Sequence, residues 1–275
     1  MQTLEKSYHF LETIATIIRN YESSNSRVYY IFFYIKNYIL KPKNLVIFEG
    51  TIVYFESYNS VLASITEVFF AKSCDFIADT KSPIIIDCGA NNGITALYFK
   101  KKYPKAKITC VEPVPNTFKL LEKNLKPFSA ITCLNYAIGN SNNPTTLYVP
   151  KIKDQDSLFV STSKERWSKN TKFDKVSVNT IKLSSLIKER VDCVILDIEG
   201  NEEKTLKDLE NTKKLKLIKN IFVEFHGFKG NSLAIIASIL ERNDFKIVYG
   251  CGVRSPYHKY ANKFHALPLY AKAKG

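Results

Sequence analysis

Hydrophobic residues recur along the chain with two different periods, and the changes between them mark out the elements. From Leu4 to Ile18 apolar side chains fall at Leu4, Tyr8, Leu11, Ile14, Ala15 and Ile18, the stripe of an amphipathic helix. Val28 to Leu40 is denser in aromatic and aliphatic residues. Lys36 and Asn37 interrupt it, and it is well short of the roughly 20 residues of a membrane span, so it predicts a packed helix. Leu45–Phe48 and Thr51–Phe55 flank Glu49-Gly50, the spacing of a hairpin with a two-residue turn, and a helical pattern covers about Val61 to Phe70.

Beyond residue 80 the pattern turns to strand and helix in alternation. The organising stretch is Ile84-Ile85-Ile86-Asp87-Cys88-Gly89-Ala90-Asn91-Asn92-Gly93, an apolar run that ends in an acid and flows into a glycine-bracketed turn. It predicts a strand buried on both faces, a tight loop and the start of a helix. Helix Ile94–Tyr103, strand Lys107–Glu112, helix Asn116–Leu125 and strand Ala130–Asn135 follow. After a short strand at Thr145–Val149 comes a polar stretch, Lys151–Asp174, long enough to be a functional loop. Strand Lys175–Val178, helix Leu183–Lys188, strand Asp192–Asp197, helix Glu203–Leu209 and strand Asn220–His226 continue the alternation, and a helix at Ser232–Arg242 with strands near Phe245–Tyr249 and Phe264–Tyr270 closes it. The expectation is an α/β chain: residues 1–80 form a helical and hairpin cap, and residues 81–275 form one doubly wound domain on a mostly parallel sheet. Ligands of such sheets bind at the carboxyl ends of the strands.

Composition narrows the class. Of 275 residues, 45% are hydrophobic and 24% charged, which excludes a disordered chain or a membrane bundle as the default. The six cysteines are widely spaced with no C-x-x-C pair and read as small core residues in a reducing compartment. The N-terminus shows no signal peptide, so a cytoplasmic location is expected. A formal charge of +14 suits anionic partners, while the lysines scattered over the helices read as solvated faces. Tyr29, Tyr30, Phe32 and Phe33, among lysines, leave a peripheral membrane contact open.

Gly89 and Gly93 frame a loop without the middle glycine that brings a dinucleotide pyrophosphate close to the backbone, which argues against NAD. A cofactor with an amino-acid tail fits better. Asp87 and the loop amides face its ammonium and carboxylate, and Glu112, at the next strand end, can take both ribose hydroxyls. S-adenosylmethionine is such a cofactor.

Five motifs in order, Asp87-Cys88-Gly89-Ala90-Asn91-Asn92-Gly93, Val111-Glu112-Pro113, Asn135-Tyr136-Ala137-Ile138-Gly139, Leu196-Asp197-Ile198-Glu199-Gly200-Asn201-Glu202 and Val223-Glu224-Phe225-His226, give a sequence that resembles the FkbM-type S-adenosylmethionine-dependent methyltransferases over roughly Leu45 to Tyr249. The resemblance implies a class I methyltransferase (Rossmann-like) fold, with a seven-stranded sheet whose last strand is antiparallel. It also implies O-methylation, often of sugar hydroxyls in glycans or natural products. Expected cofactor residues are Asp87, Gly89, Ala90, Asn91, Gly93, Glu112, Asn135, Tyr136, Ala137 and Asp197. Glu67 looks like part of the family's helix before the first motif. Ile195 and Lys182 depart from the family pattern, which bears on substrate contacts more than on methyl transfer.

On the reacting side, Asp197 and Glu199 leave an apolar strand, diverging so that at least one faces the cleft. Glu224 and His226 share one face of the next strand. His226 is the candidate general base, with Asp197, Glu224 and Glu199 as its catalytic neighbours. The same four residues, Asp197, Glu199, Glu224 and His226, form a disfavoured alternative, a site for a divalent metal. Glu202 and Glu203 read as first-turn acids placed for a helix dipole. The expected acceptor is a carbohydrate or sugar conjugate, with an anionic one left open. A nucleic-acid methyltransferase and a non-catalytic methyltransferase-like binding module are the alternatives, the second disfavoured because the cofactor residues are all present.

Overall fold

In the computed structural model, which describes residues 2–151, 172–227, 230–250, 253–254 and 265–274, the apolar runs become the centre of one large sheet. Its middle strands are β3 (Ile84–Cys88), β4 (Lys107–Val111), β10 (Val191–Leu196) and β11 (Ile218–His226), with β5 (Ile131–Leu134) at one edge and β12 (Phe245–Tyr249) and β14 (His265–Ala273) at the other. The order is β12-β14-β11-β10-β3-β4-β5, with the short β13 (Val253–Arg254) paired to β14 off that path. All pairings from β11 to β5 are parallel, while β14 runs antiparallel to both β11 and β12. This is the seven-stranded, mostly parallel sheet with an antiparallel last strand of a class I methyltransferase fold. The antiparallel strand is inserted one place in from the edge.

The period of two decides which side of the sheet each residue serves. Ile85, Cys193, Ile195 and Phe222 pack into one core with α4 (Ile94–Lys102) and α5 (Pro115–Leu125). Ile86, Cys88, Val194, Leu196, Ile221 and Val223 pack into the other, against α7 (Glu202–Asn211) and α8 (Leu233–Arg242). Every residue of β10 is buried, including Asp192, whose Oδ2 accepts from Ile84 N–H (2.9 Å).

The N-terminal elements are α1 (Gln2–Asn20), α2 (Ser24–Leu40), the hairpin β1 (Leu45–Phe48) and β2 (Thr51–Tyr54), and α3 (Tyr58–Ile65), which runs on into a wider turn at Thr66–Phe70. Glu49 and Gly50 both have positive φ, the primed turn that a two-residue hairpin needs. These elements share the first core: Ile17, Tyr30, Phe33, Phe48, Phe69 and Phe70 belong to the same cluster as Ile85 and Phe99. Polar bonds reinforce the join. Asn124 of α5 accepts from Tyr54 N–H (2.7 Å) and donates to the carbonyls of Tyr54 (2.9 Å) and Asn92 (2.8 Å), tying the hairpin to the glycine loop.

One expectation fails in this region of the chain. The strand predicted at Lys175–Val178 is β8 (Phe173–Val178), and it does not enter the main sheet. It pairs antiparallel with β7 (Thr145–Pro150), while β6 (Ala137–Ile138) pairs with β9 (Thr180–Ile181) in a second small ribbon. The reason is visible in the residues: Asp174, Lys175 and Ser177 keep most of β8 exposed or half-buried, whereas β10 is buried along its whole length and is apolar but for Asp192. Most of the polar stretch 151–174 lies outside the described residues.

Candidate active site

The carboxyl ends of β3, β4, β10 and β11 converge as the fold requires. The loop after β3 is held by its own backbone: Gly89 and Ala90 N–H both donate to Val111 O (2.9 and 3.0 Å), and Gly93 N–H returns to Ala90 O (2.9 Å). Gly89 lies so close to the exit of β10 that an added Cβ would fall 1.8 Å from the Asp197 carbonyl oxygen. The third β10 residue counted back from Asp197, Val194, opposes Ile86 in the ladder, and Asp197 N–H continues the pairing by donating to Cys88 O (3.0 Å). Loop and strand exit are therefore one rigid unit.

Two buried carboxyls line this unit. Glu112 is held at both oxygens, by Asn91 N–H (3.0 Å) and Val114 N–H (2.9 Å), and each oxygen keeps a lone pair for a further donor. Burial pushes its pKa up to about 7, although the two backbone bonds and a nearby Asp197 charge act on it as well. Asp87 is likewise raised to about 7, by burial first and then by the charges of Asp197 and Glu112, and its Oδ2 has no hydrogen-bond partner among the described residues. Such an oxygen, buried and unpaired, fits the ammonium of an amino-acid tail, and Glu112 fits ribose hydroxyls. The residues present thus suit S-adenosylmethionine.

The remaining residues expected at the cofactor shape the loop and the strand exits around it. Asn91 takes a left-handed conformation (φ 48°) that turns its N–H to Glu112. Asn135 spends its side-chain amide on the carbonyls of Glu112 (2.8 Å) and Pro113 (3.1 Å), and so fixes the exit of β4. Tyr136 is half-buried at the rim of the second core, and Ala137 is buried with its N–H on Asn179 O (2.8 Å).

On the reacting side His226 is buried, and Nδ1 donates to Glu202 Oε1 at 3.0 Å. Its Nε2 looks toward Glu199 Oε2 (3.3 Å), Glu224 Oε1 (3.7 Å) and Asp197 Oδ1 (3.8 Å). Asp197 and Glu199 do not diverge: two residues apart, they would share a face even in a continued strand, as Glu224 and His226 do, so the expected divergence misapplied the period of two. β10 ends at Leu196, Glu199 adopts a left-handed conformation (φ 55°), and the turn brings both carboxylates to one imidazole. Asp197, Glu199 and His226 each offer a ligand atom within 4.8 Å of the others.

Glu202 is the residue that the sequence reading undervalued. It opens α7, but it is fully buried, and besides His226 it accepts from Gly200 N–H (3.0 Å) and the Asn231 side-chain amide (2.5 Å). Its position inside the Asp197–Glu202 motif was the available signal; the helix-dipole explanation masked it. Glu203 instead caps the next segment, accepting from Ser232 N–H (2.7 Å). Burial works against a charged imidazole, yet the Glu202 bond and the charges of Glu202, Glu224 and Asp197 outweigh it and raise the His226 pKa to about 8. Glu67, from the turn after α3, joins the same electrostatic group. Burial and then Asp197 raise its carboxyl, an effect tempered by the solvent that reaches this side chain.

The Asp87 shift has a measurable consequence. The unfolded chain ionises this carboxyl near its ordinary value of 3.8, while the folded chain keeps the proton until about 7, so folded-state stability falls as pH rises through that window. Asp87→Asn is expected to remove this loss, at most about 4 kcal/mol at about 1.4 kcal/mol per unit. Urea unfolding of the cofactor-free protein should show the variant gaining on the wild type between pH 4 and pH 8 while calorimetry shows weaker S-adenosylmethionine binding. A constant gap across pH would sink the assignment.

The chain is similar in sequence to known methyltransferases. Residues 87–247, more than half of the chain, match the Methyltransferase FkbM domain. Methyltransferase sdnD of Sordaria araneosa is 29% identical over 185 residues, 56% of this chain and 71% of its own length. The 2-O-methyltransferase NoeI of Sinorhizobium fredii is 27% identical over 139 residues, 46% of this chain and 57% of its own. A crystal structure of Methyltransferase FkbM from Methylobacillus flagellatus aligns with a TM-score of 0.49 at 12% identity, covering 96% of this chain and 59% of that one. Sheet order, motif placement and the family match lead to one statement: the chain belongs to the FkbM family of S-adenosylmethionine-dependent methyltransferases.

Proposed function

We propose that the enzyme transfers a methyl group to a hydroxyl oxygen of a sugar, in a glycan or sugar conjugate, with His226 as general base. The observation that carries this is the set of three carboxylates, Asp197, Glu199 and Glu224, within 4 Å of His226 Nε2. Carboxylates accept hydrogen bonds and donate none, so together they suit an acceptor that offers several hydroxyl donors. The similarity to a 2-O-methyltransferase supports the same class of transfer.

S-adenosylmethionine, when bound, supplies a methyl group activated on a sulfonium. Asp87 and the amides of the Gly89–Gly93 loop would hold its amino-acid end, and Glu112 its ribose, with Tyr136 and Ala137 on the adenine side. The acceptor hydroxyl would lie against Nε2 of a neutral His226, which takes the proton as the oxygen attacks; Glu202 at Nδ1 then stabilises the imidazolium. Asp197, Glu199 and Glu224 would align neighbouring hydroxyls and hold the nucleophile in line. The negative charge around Nε2 also argues against a phosphate at the reacting atom, and so against an RNA backbone there. An anionic group on the acceptor would instead lie out among the surface lysines.

A second reading rests on the mutual approach of Asp197, Glu199 and His226, which could hold a divalent cation that orients vicinal hydroxyls. The two readings separate in one experiment. Isotope-labelled methyl transfer to a panel of sugar nucleotides and glycans, with mass spectrometry of the products, is expected to place the label on a sugar oxygen and to survive prolonged chelation. Loss of activity on chelation, restored by magnesium or manganese, favours the cation. Transfer to RNA and to no polyol overturns the proposal.

A further inference from the structure

The face of α2 that turns away from the core is largely apolar, with Lys36 among its exposed residues. Val28 (68% exposed), Phe32 (66%) and Ile39 (71%) lie on it with Leu40, while Tyr30, Phe33 and Tyr34 fill the buried side. The sequence-based grouping of Tyr29, Tyr30, Phe32 and Phe33 is thus split, with Tyr29 and Phe32 outside. The hairpin repeats the arrangement: Val46, Phe48 and Val53 point inward, and the cross-strand pair Ile47 (65% exposed) and Ile52 points outward beside Leu45. The two elements adjoin. The ring of Phe48 packs 4.6 Å from that of Phe33 in α2, and Tyr29 of α2 accepts at its hydroxyl from Glu49 N–H (2.9 Å) at the hairpin tip.

From Ser24 to Phe48 the chain carries Arg27, Lys36, Lys41 and Lys43 and no acid. Lys36, Lys41 and Lys43 are exposed, and Glu49 at the hairpin tip is ion-paired with Lys101. From this charge pattern we infer that the outward face of α2 and the hairpin seats the enzyme on an anionic lipid surface. Aromatic and aliphatic side chains would enter the headgroup boundary while the lysines reach the phosphates. A symmetric dimer through the same face would set these basic residues against their own copies, which disfavours it. No helix among the described residues is long and apolar enough to cross a membrane, so the contact is a surface one.

Co-sedimentation of the full chain with vesicles tests this. Wild type is expected to bind vesicles of phosphatidylcholine containing phosphatidylglycerol, and to bind phosphatidylcholine alone much more weakly. Changing Lys36, Lys41 and Lys43 together to glutamine should lower partitioning about 100-fold, at roughly 1 kcal/mol for each basic residue. Phe32→Asp with Ile47→Asp should abolish binding while calorimetric affinity for S-adenosylmethionine stays unchanged, which shows that the variant is folded. Equal binding by the aspartate variant would mean that the general positive charge, not this face, holds the membrane, and would overturn the inference. So would absence of binding to anionic vesicles, or a wild-type dimer in light scattering that the aspartate variant dissociates.

Discussion

His226→Ala is expected to lower kcat by about 10²–10⁴-fold at saturating acceptor, the range of a lost general base, while affinity for S-adenosylmethionine stays near that of the wild type. The imidazole meets Glu202 at Nδ1 and the carboxylates at Nε2, on the reacting side of the strand ends. The pH dependence gives a second and more specific readout. Below its pKa of about 8 the imidazole carries a proton on each nitrogen and cannot accept one from the acceptor. The wild-type kcat/KM should therefore rise with pH and level off above about 8. Glu202→Gln removes the charge and leaves at most a neutral amide acceptor at Nδ1, so the rise should shift to lower pH while the plateau falls, because the developing imidazolium loses its counter-charge. A purely structural role for Glu202 would lower activity without moving the inflection. Near-normal turnover by a folded His226→Ala would remove the base from the mechanism.

Much of this was legible in the sequence because central parallel strands leave a simple trace. Ile84–Ile86 and Val194–Leu196 are apolar without a break, and each leads directly into an acid and a glycine turn; that pattern placed both strand ends at the site. The hairpin at Glu49-Gly50 was legible for a similar reason, since few dipeptides accept two positive φ values. What the sequence hid depends on contacts between distant segments. Glu202 stands at a helix start, where an acid already has a local explanation, and only the position of His226 and Asn231 shows that it is buried among donors. The turn at Glu199 is equally silent: β10 ends at Leu196, and nothing local in the sequence marks Glu199 as the left-handed residue that turns the chain toward Gly200 and Glu202. Exposure of Phe32 and burial of Phe33 follow from the packing of α2 on the sheet core, which adjacent aromatic residues in a sequence do not reveal.

Gly89→Ala is expected to cause the largest loss of cofactor binding of any single-methyl change in the loop. Two separate costs fall on the same carbon. The backbone at Gly89 has φ of +89°, a region that residues with a side chain rarely adopt, and the Cβ would lie 1.8 Å from the Asp197 carbonyl oxygen and 2.9 Å from its carbon. The obstacle is backbone, tied to β3 through Asp197 N–H on Cys88 O, so it cannot turn aside as a side chain could. The ends of β3 and β10 must separate or the loop must leave Val111 O, and either movement displaces the amides and Asp87 together. Gly93→Ala provides the control. It meets the same kind of φ, +91°, but its Cβ would press on the Leu121 and Leu125 side chains at 3.1 Å, which can give way. Calorimetry with S-adenosylmethionine should therefore show at least about a 100-fold loss of affinity for Gly89→Ala, equivalent to about 2.7 kcal/mol, and a smaller loss for Gly93→Ala. Thermal unfolding of both variants separates lost binding from lost fold. A folded Gly89→Ala that binds the cofactor as the wild type does would show that the contact between loop and β10 does not shape the site.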